Sequence, residues 1–232
     1  MDFSVRSYNK ELLDGDDIPF RDIEQNMREL DIINTWLSGH RISLSGLKNL
    51  IGYKKEIAIC EIGCGGGDNL LAIQHWCIKK NVKARLIGID INPVCITLAS
   101  AKFINPDPEF FISDYRLINF KNGKPGIIFS SLFCHHFTNE ELISMLKWMR
   151  SNSTVGFFIN DLHRHPLAYY SIKWITKIFS RSRLIKNDAP LSVLRGFKKN
   201  EWKELMKLAG IDNYELRWKW AFRWLIIAEN KK

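Results

Sequence analysis

Residues 57–70 restrict the fold of this chain more than any other stretch. An apolar run from Ile57 to Cys60 ends in the acid Glu61, glycines follow at 63, 65 and 67, and helical spacing starts at Asp68. A strand, a tight loop and a helix, in that order, satisfy this pattern. Glycine reaches positive φ in such a turn and, lacking a Cβ, lets a ligand lie against the backbone. The first free N–H groups of the helix then point at that ligand. Arg85 to Asp90 is a second apolar strand with a carboxylate at its end, and the distance from Gly67 to Asp90 suits one helix plus one strand. An acid placed there accepts hydrogen bonds from ribose hydroxyls.

The acid Glu61 directly before the glycines resembles the first motif of the class I S-adenosylmethionine-dependent methyltransferases. The resemblance covers about residues 55–161 and, more loosely, the C-terminal end of the chain. It implies S-adenosylmethionine as cofactor, held by Glu61, Gly63, Gly65, Gly67, Asp90, Ile91, Asp114, Tyr115 and Leu132. Within it, Asp114 reads the exocyclic amine of adenine; the alternative for an acid at that place is to cap the turn that follows it.

Further along, the periodicity predicts repeated strand and helix units. Helices are expected from Asp68 to Lys80 and from Val94 to Ile104, with Pro93 at a first helical turn. Strands are expected at Phe110–Tyr115, from Gly126 into Cys134-His135-His136, and at Thr154–Asp161. Thr138 and Glu141 form a capping box for a helix running to Arg150. A helix from Lys199 to Ala209, closed by Gly210, precedes a terminal pair of strands within Tyr214–Ala228. The alternation predicts an α/β fold, a doubly wound and mostly parallel sheet with ligands at its C-terminal strand ends. The resemblance makes it seven-stranded and Rossmann-like, with its last strand antiparallel.

Residues 1–52 are expected to form an N-terminal helical cap ahead of a methyltransferase domain at 53–232. One amphipathic helix runs from Arg21 to near Gly39 and a second from Leu44 to Ile51, after an irregular lead-in. Such helices either cover the active site, as the resemblance implies, or pack on the sheet. A helical insertion at about 164–198 is long for a connection in this fold. It carries Arg164, Lys173, Lys177, Arg181, Arg183 and Lys186 with no acid before Asp188, while Leu167, Tyr170, Trp174, Ile175, Ile178 and Phe179 keep helical spacing. A basic helix with Trp and Tyr on its apolar side suits a membrane interface. It also suits a lid over the active site, and one helix can do both.

Charge points the same way without choosing a partner. Thirty-four Lys and Arg against 25 Asp and Glu give +9 over 232 residues, which favours an anionic partner such as a nucleic acid or a lipid surface. Five cysteines without CxxC spacing fit a reducing compartment, and no run approaches the length of a membrane span. The expected location is the cytoplasm, with peripheral membrane contact left open.

Methyl transfer requires the acceptor and the methyl group in near-attack geometry, away from water. A phenolic acceptor, with a pKa of about 10, benefits from a base, and histidine is the natural choice. His135, His136 and His163 are the candidates, with His136 favoured. Adjacent residues on an extended chain face opposite ways, so only one of the first two should meet the substrate. Asp161, His163 and His165 are too few to make a metal site, and none is expected. Arg217 to Trp224 alternates bases with aromatics, which suits a half-buried strand with Trp218, Trp220, Phe222 and Trp224 inward better than a nucleic-acid surface. The fourth strand ends in Ser-Ser-Leu-Phe133 and lacks the Asp/Asn-Pro-Pro-Tyr/Phe segment of nucleobase amino-methyltransferases, and Cys134 lacks the Pro that precedes the nucleophile of C5-cytosine enzymes. The expected activity is methylation of a hydroxyl on a small apolar or lipid-linked aromatic, as in the quinone and polyketide O-methyltransferases that the chain resembles. An RNA methyltransferase and a non-catalytic cofactor-binding subunit are the alternatives.

Overall fold

Apolar residues on both faces of a strand demand cover on both sides, and the central strands have it. The computed structural model describes residues 2–15, 17–103 and 108–230. Its sheet runs β3-β2-β1-β4-β5-β7-β6, with β1 at Glu56–Ile62, β2 at Lys83–Asp90, β3 at Glu109–Ile112, β4 at Ile127–Ser131, β5 at Gly156–Leu162, β6 at Tyr214–Lys219 and β7 at Arg223–Glu229. Strands β1 to β5 are parallel, β7 pairs antiparallel with β5, and β6 pairs antiparallel with β7. This is the seven-stranded, Rossmann-like order expected.

The period of two along each strand sorts the core. Cys60, Ile62, Ile128, Phe157 and Ile159 face α5 (Asn139–Asn152) and α8 (Lys199–Leu208). Ile57, Ile59, Ile127, Phe129 and Phe158 face α2 (Gly39–Ile51) and α3 (Asp68–Lys79). Helix α2 lies close to the sheet because Gly46 has no side chain; a Cβ there would sit 2.5 Å from the Phe158 ring. It begins at Gly39, five residues before the expected Leu44, because Ser38 takes a left-handed conformation (φ 61°) and turns the chain directly out of α1 (Phe20–Trp36). Of the two N-terminal helices, α2 packs on the sheet, whereas α1 lies against α4 (Pro93–Ser100). The expected helix at 94–104 ends early at Ser100, and its Ile104 terminus lies outside the described residues.

Two expectations fail on burial and length. The alternating aromatics do not all point inward: Trp218 and Trp220 are exposed, whereas Trp224 and also Arg223 are buried. The reason is position in the sheet. Strand β7 lies between β5 and β6 and is covered on both faces, β6 is an edge, and residues 220–222 form the turn between them. The insertion holds two helices rather than one, α6 (Pro166–Phe179) and α7 (Arg183–Arg195), the latter containing Pro190.

The lead-in is irregular but firmly held. Buried Arg6 donates to Arg195 O, Asn139 Oδ1 and Phe137 O, and its guanidinium lies 4.3 Å from the Phe197 ring centre. Arg164, also buried, donates to Phe3 O and Ser4 O and pairs with Glu201. These ties carry residues 3–15 across the C-terminal ends of the strands.

Candidate active site

Three left-handed glycines shape the loop after β1, with φ of 65° at Gly63, 50° at Gly65 and 76° at Gly67. A Cβ on Gly63 would lie 2.2 Å from the Phe133 ring, and one on Gly67 would lie 3.1 Å from Ala99 Cβ. Asp90 holds the loop from the next strand. Its Oδ2 accepts from Gly65 N–H at 2.9 Å and its Oδ1 from Asn92 N–H at 2.9 Å. Burial raises its carboxyl above the ordinary value, opposed by those two N–H groups. Glu61 is buried at the end of β1, where Oε1 accepts from Asn69 Nδ2 at 3.2 Å. Its Oε2 is buried with no donor among the described residues, and burial pushes its carboxyl well above the usual range.

A cavity of about 1180 Å³ opens beside this loop and is lined by Glu61, Gly63, Gly65, Asp90, Ile91, Asp114, Tyr115, Leu132, His135 and His136. Gly67 does not reach the wall; it starts α3 against α4. Asp114 caps the turn at Tyr115–Leu117, accepting from Arg116 N–H at 2.9 Å, and the Arg116 guanidinium holds its carboxyl below the usual range. The capping alternative is therefore present in the fold, and the carboxylate still borders the cavity.

Beyond β4 the chain does not stay extended. Cys134–His136 is a turn of 3-10 helix, so successive side chains are separated by roughly 120° and not 180°. Both histidines therefore line the same cavity, with ring centres 4.4 Å apart, against the expectation that only one would.

Their partners come from the end of β5 and from the first fifteen residues. His135 is buried, with Nδ1 2.8 Å from Asp161 Oδ1 and Nε2 3.6 Å from Glu11 Oε1. Burial alone would depress its pKa, but the Asp161 charge and hydrogen bond, with those of Glu11, raise it to about 9. The two carboxylates thus favour the imidazolium form of His135, and Asp161 and Glu11 both sit below their usual ranges because of it. His136 has Nδ1 3.1 Å from Asp14 Oδ1 and Nε2 4.0 Å from Glu11 Oε2. Glu11, His135 and His136 bring metal-ligand atoms within 4.8 Å of one another.

The third histidine lies elsewhere. His163 accepts from Trp218 Nε1–H at 3.2 Å, packs on Trp224, and does not line the cavity. Burial, with His165 beside it, lowers its pKa to about 4. Asp161, two residues earlier at the same strand end, turns to His135 instead, so Asp161, His163 and His165 do not converge.

Residues of the strap and the insertion complete the wall, and no local motif marks them. Ser192 Oγ donates to Glu11 Oε1 at 2.7 Å, and Asp188 accepts from Leu12 and Leu13 N–H at 2.8 and 3.0 Å. Arg195 donates to the carbonyls of Asn9, His135 and His136 and pairs with Asp14 at 3.1 Å. The far wall is apolar, with Leu30 and Ile33 of α1, Ile172 and Ile175 of α6, Val193 of α7 and Trp220 of the hairpin.

Comparison with known proteins fits this geometry. The chain aligns in three dimensions with the plantazolicin methyltransferase BpumL in complex with SAH (TM-score 0.61, 21% identity, covering 85% of this chain and 72% of that one). Human N-acetylserotonin methyltransferase with SAM gives a TM-score of 0.63 at 13% identity over 92% of this chain and 57% of that one. The magnesium protoporphyrin IX methyltransferase of Synechocystis PCC 6803 with SAH gives 0.52 at 18% identity, over 94% and 90%. No curated protein matches the sequence of the chain. The family model for the methyltransferase domain matches residues 59–179, from the first strand through the end of α6. That match takes in the glycine loop, both histidines and more than half of the chain, which belongs to the methyltransferase domain family.

Proposed function

We propose that the chain uses S-adenosylmethionine to methylate a hydroxyl on a small apolar or lipid-linked aromatic, with His136 as general base. The observation that carries this reading is the position of His136. It lines one cavity with the glycine loop at one end and an apolar wall at the other.

The residues present fit the cofactor. The buried, undonated Glu61 Oε2 and the backbone of Gly63 and Gly65, bare of Cβ, form a cradle for a polar ligand with donors of its own. Asp90 keeps a lone pair on each oxygen after binding the two N–H groups, and those lone pairs suit ribose hydroxyls. Ile91 and Tyr115 offer apolar surface, Leu132 closes the loop side, and Asp114, on the cavity border, is the acid proposed to read an adenine amine. When bound, S-adenosylmethionine supplies the electrophilic methyl group on its sulfonium.

The remaining chemistry belongs to the chain. Leu30, Ile33, Ile172, Ile175 and Val193 exclude water and orient an apolar acceptor. Nδ1 of His136 faces Asp14 at 3.1 Å, and Nε2 is the atom assigned to take the acceptor's proton. Glu11, 4.0 Å away, then stabilises the imidazolium formed. His135 is already protonated and paired, so it anchors Glu11 and does not compete as a base. The neighbour named for N-acetylserotonin supports an aromatic acceptor as a substrate class for this fold.

Calorimetric titration with S-adenosylmethionine, S-adenosylhomocysteine and NAD tests the cofactor. Binding of the first two and not the third is expected, and binding of NAD alone would overturn the reading. Turnover on hydroxylated aromatics, compared between wild type and His136→Ala, then tests the base.

A further inference from the structure

Helix α6 presents an apolar stripe to solvent. Leu167, Tyr170, Trp174 and Ile178 are 62%, 51%, 63% and 62% exposed, and at 100° per residue they share a sector about 80° wide. On one side the stripe is bordered by Lys173 and Lys177. On the other side it is bordered by Ser171 and Ile175, which line the cavity. Past Ile175, about 100° round from Ile178, Phe179 carries exposed apolar surface to α1, where its ring meets exposed Trp36 edge-on at 6.2 Å. Exposed Trp220 of the hairpin also reaches the cavity wall. The apolar surface is thus continuous from solvent to the site, with cations along its outer border.

From these features we propose that this face docks on an anionic lipid surface and that an apolar acceptor enters the cavity beside it. Lys173, Lys177, Arg181, Arg183 and Lys186 are all exposed, with no acid among residues 165–187. Charge complementarity therefore selects a negative surface and disfavours a second copy of a chain that itself carries +9. The aliphatic members of the stripe, Leu167 and Ile178, have no π-face on which a base could stack, which favours acyl chains over RNA. Each Lys or Arg near an anionic bilayer strengthens binding about fivefold. Among the described residues no helix is long and apolar enough to cross a membrane, so the contact is peripheral.

This inference rests on the methyltransferase reading for its purpose, not for its test. Co-sedimentation of the full chain with phosphatidylcholine vesicles, with and without phosphatidylglycerol, reads docking without turnover, while S-adenosylhomocysteine titration reads the cavity separately. Wild type should sediment with the anionic vesicles and be released by salt. Trp174→Ser with Ile178→Ser should weaken that binding at least about tenfold, and Lys173→Glu with Lys177→Glu at least about 25-fold. Both double variants should keep the wild-type melting temperature and S-adenosylhomocysteine affinity. Absence of wild-type sedimentation, binding that survives both variants, or displacement from vesicles by single-stranded RNA at stoichiometric concentration would each overturn the proposal.

Discussion

The two ends of the cavity are built by different means. The glycine loop and its acids come from one continuous stretch, residues 61–90, and their geometry is set by backbone: three positive-φ glycines, with two N–H groups accepted by Asp90. The histidine end is gathered from segments far apart in sequence, with Glu11, His135, Asp161, Ser192 and Arg195 joined through side chains. A backbone-built site tolerates little change at its turns. A side-chain-built site tolerates remote change but depends on every charge within it.

The contrast is broken most directly by removing His136, the proposed base. His136→Ala should lower kcat by about 10²–10⁴-fold and leave S-adenosylhomocysteine affinity within about twofold. A parallel loss of both would mean that the two ends are one unit. Next in size, Gly63→Ala should weaken S-adenosylhomocysteine binding about a hundredfold, through φ strain and the clash with Phe133. Gly65→Ala, where the nearest atom is Met27 Sδ at 3.6 Å, should lose about tenfold from strain alone. Calorimetry on the two variants ranks them, and the reverse ranking would remove Phe133 as the cause.

A smaller effect should follow from loosening the strap at a distance. Asp188→Asn weakens the acceptor of the Leu12 and Leu13 N–H groups, and kcat should fall about tenfold with faster proteolytic cutting before residue 15. The histidine end should also respond to alkali. His135 is raised to about 9 in the folded protein from 6.5. Its contribution to stability is therefore complete below pH 6.5 and is lost as pH rises through 9. Melting temperature should fall across that window in wild type and fall less in His135→Gln. The smallest expected effect is that of a chelator: EDTA should leave turnover unchanged, because Asp161 and Glu11 already neutralise His135. Loss of activity restored by a divalent cation would replace the base with a metal at Glu11, His135 and His136.

The same division explains what could be read from the sequence. Strand and helix alternation, the glycine loop, Asp90 and the Thr138 capping box were all legible because each is a local pattern within a few turns of chain. Glu11 and Asp14 were not, since a carboxylate beside Leu12 and Leu13 looks like any solvated lead-in until Ser192 and Arg195 arrive from about 180 residues away. The histidines were placed at the correct strand end but given the wrong spacing, because a 3-10 turn leaves no periodic mark in three residues. The second helix of the insertion was hidden by Pro190. The aromatic alternation misled because the identity of an edge strand depends on which strands pair, and β7 takes the inner place.

The ties from Asp188, Ser192 and Arg195 back to residues 9–14 also impose an order in time. In synthesis from the N-terminal side, Glu11 and Asp14 precede Ser192 and Arg195 by 181 residues and must wait for them. The glycine loop and Asp90 are complete well before Asp188, Ser192 and Arg195 are made. The proposed cofactor end can therefore form before the proposed base end, which waits until residues 188–195 meet residues 9–14.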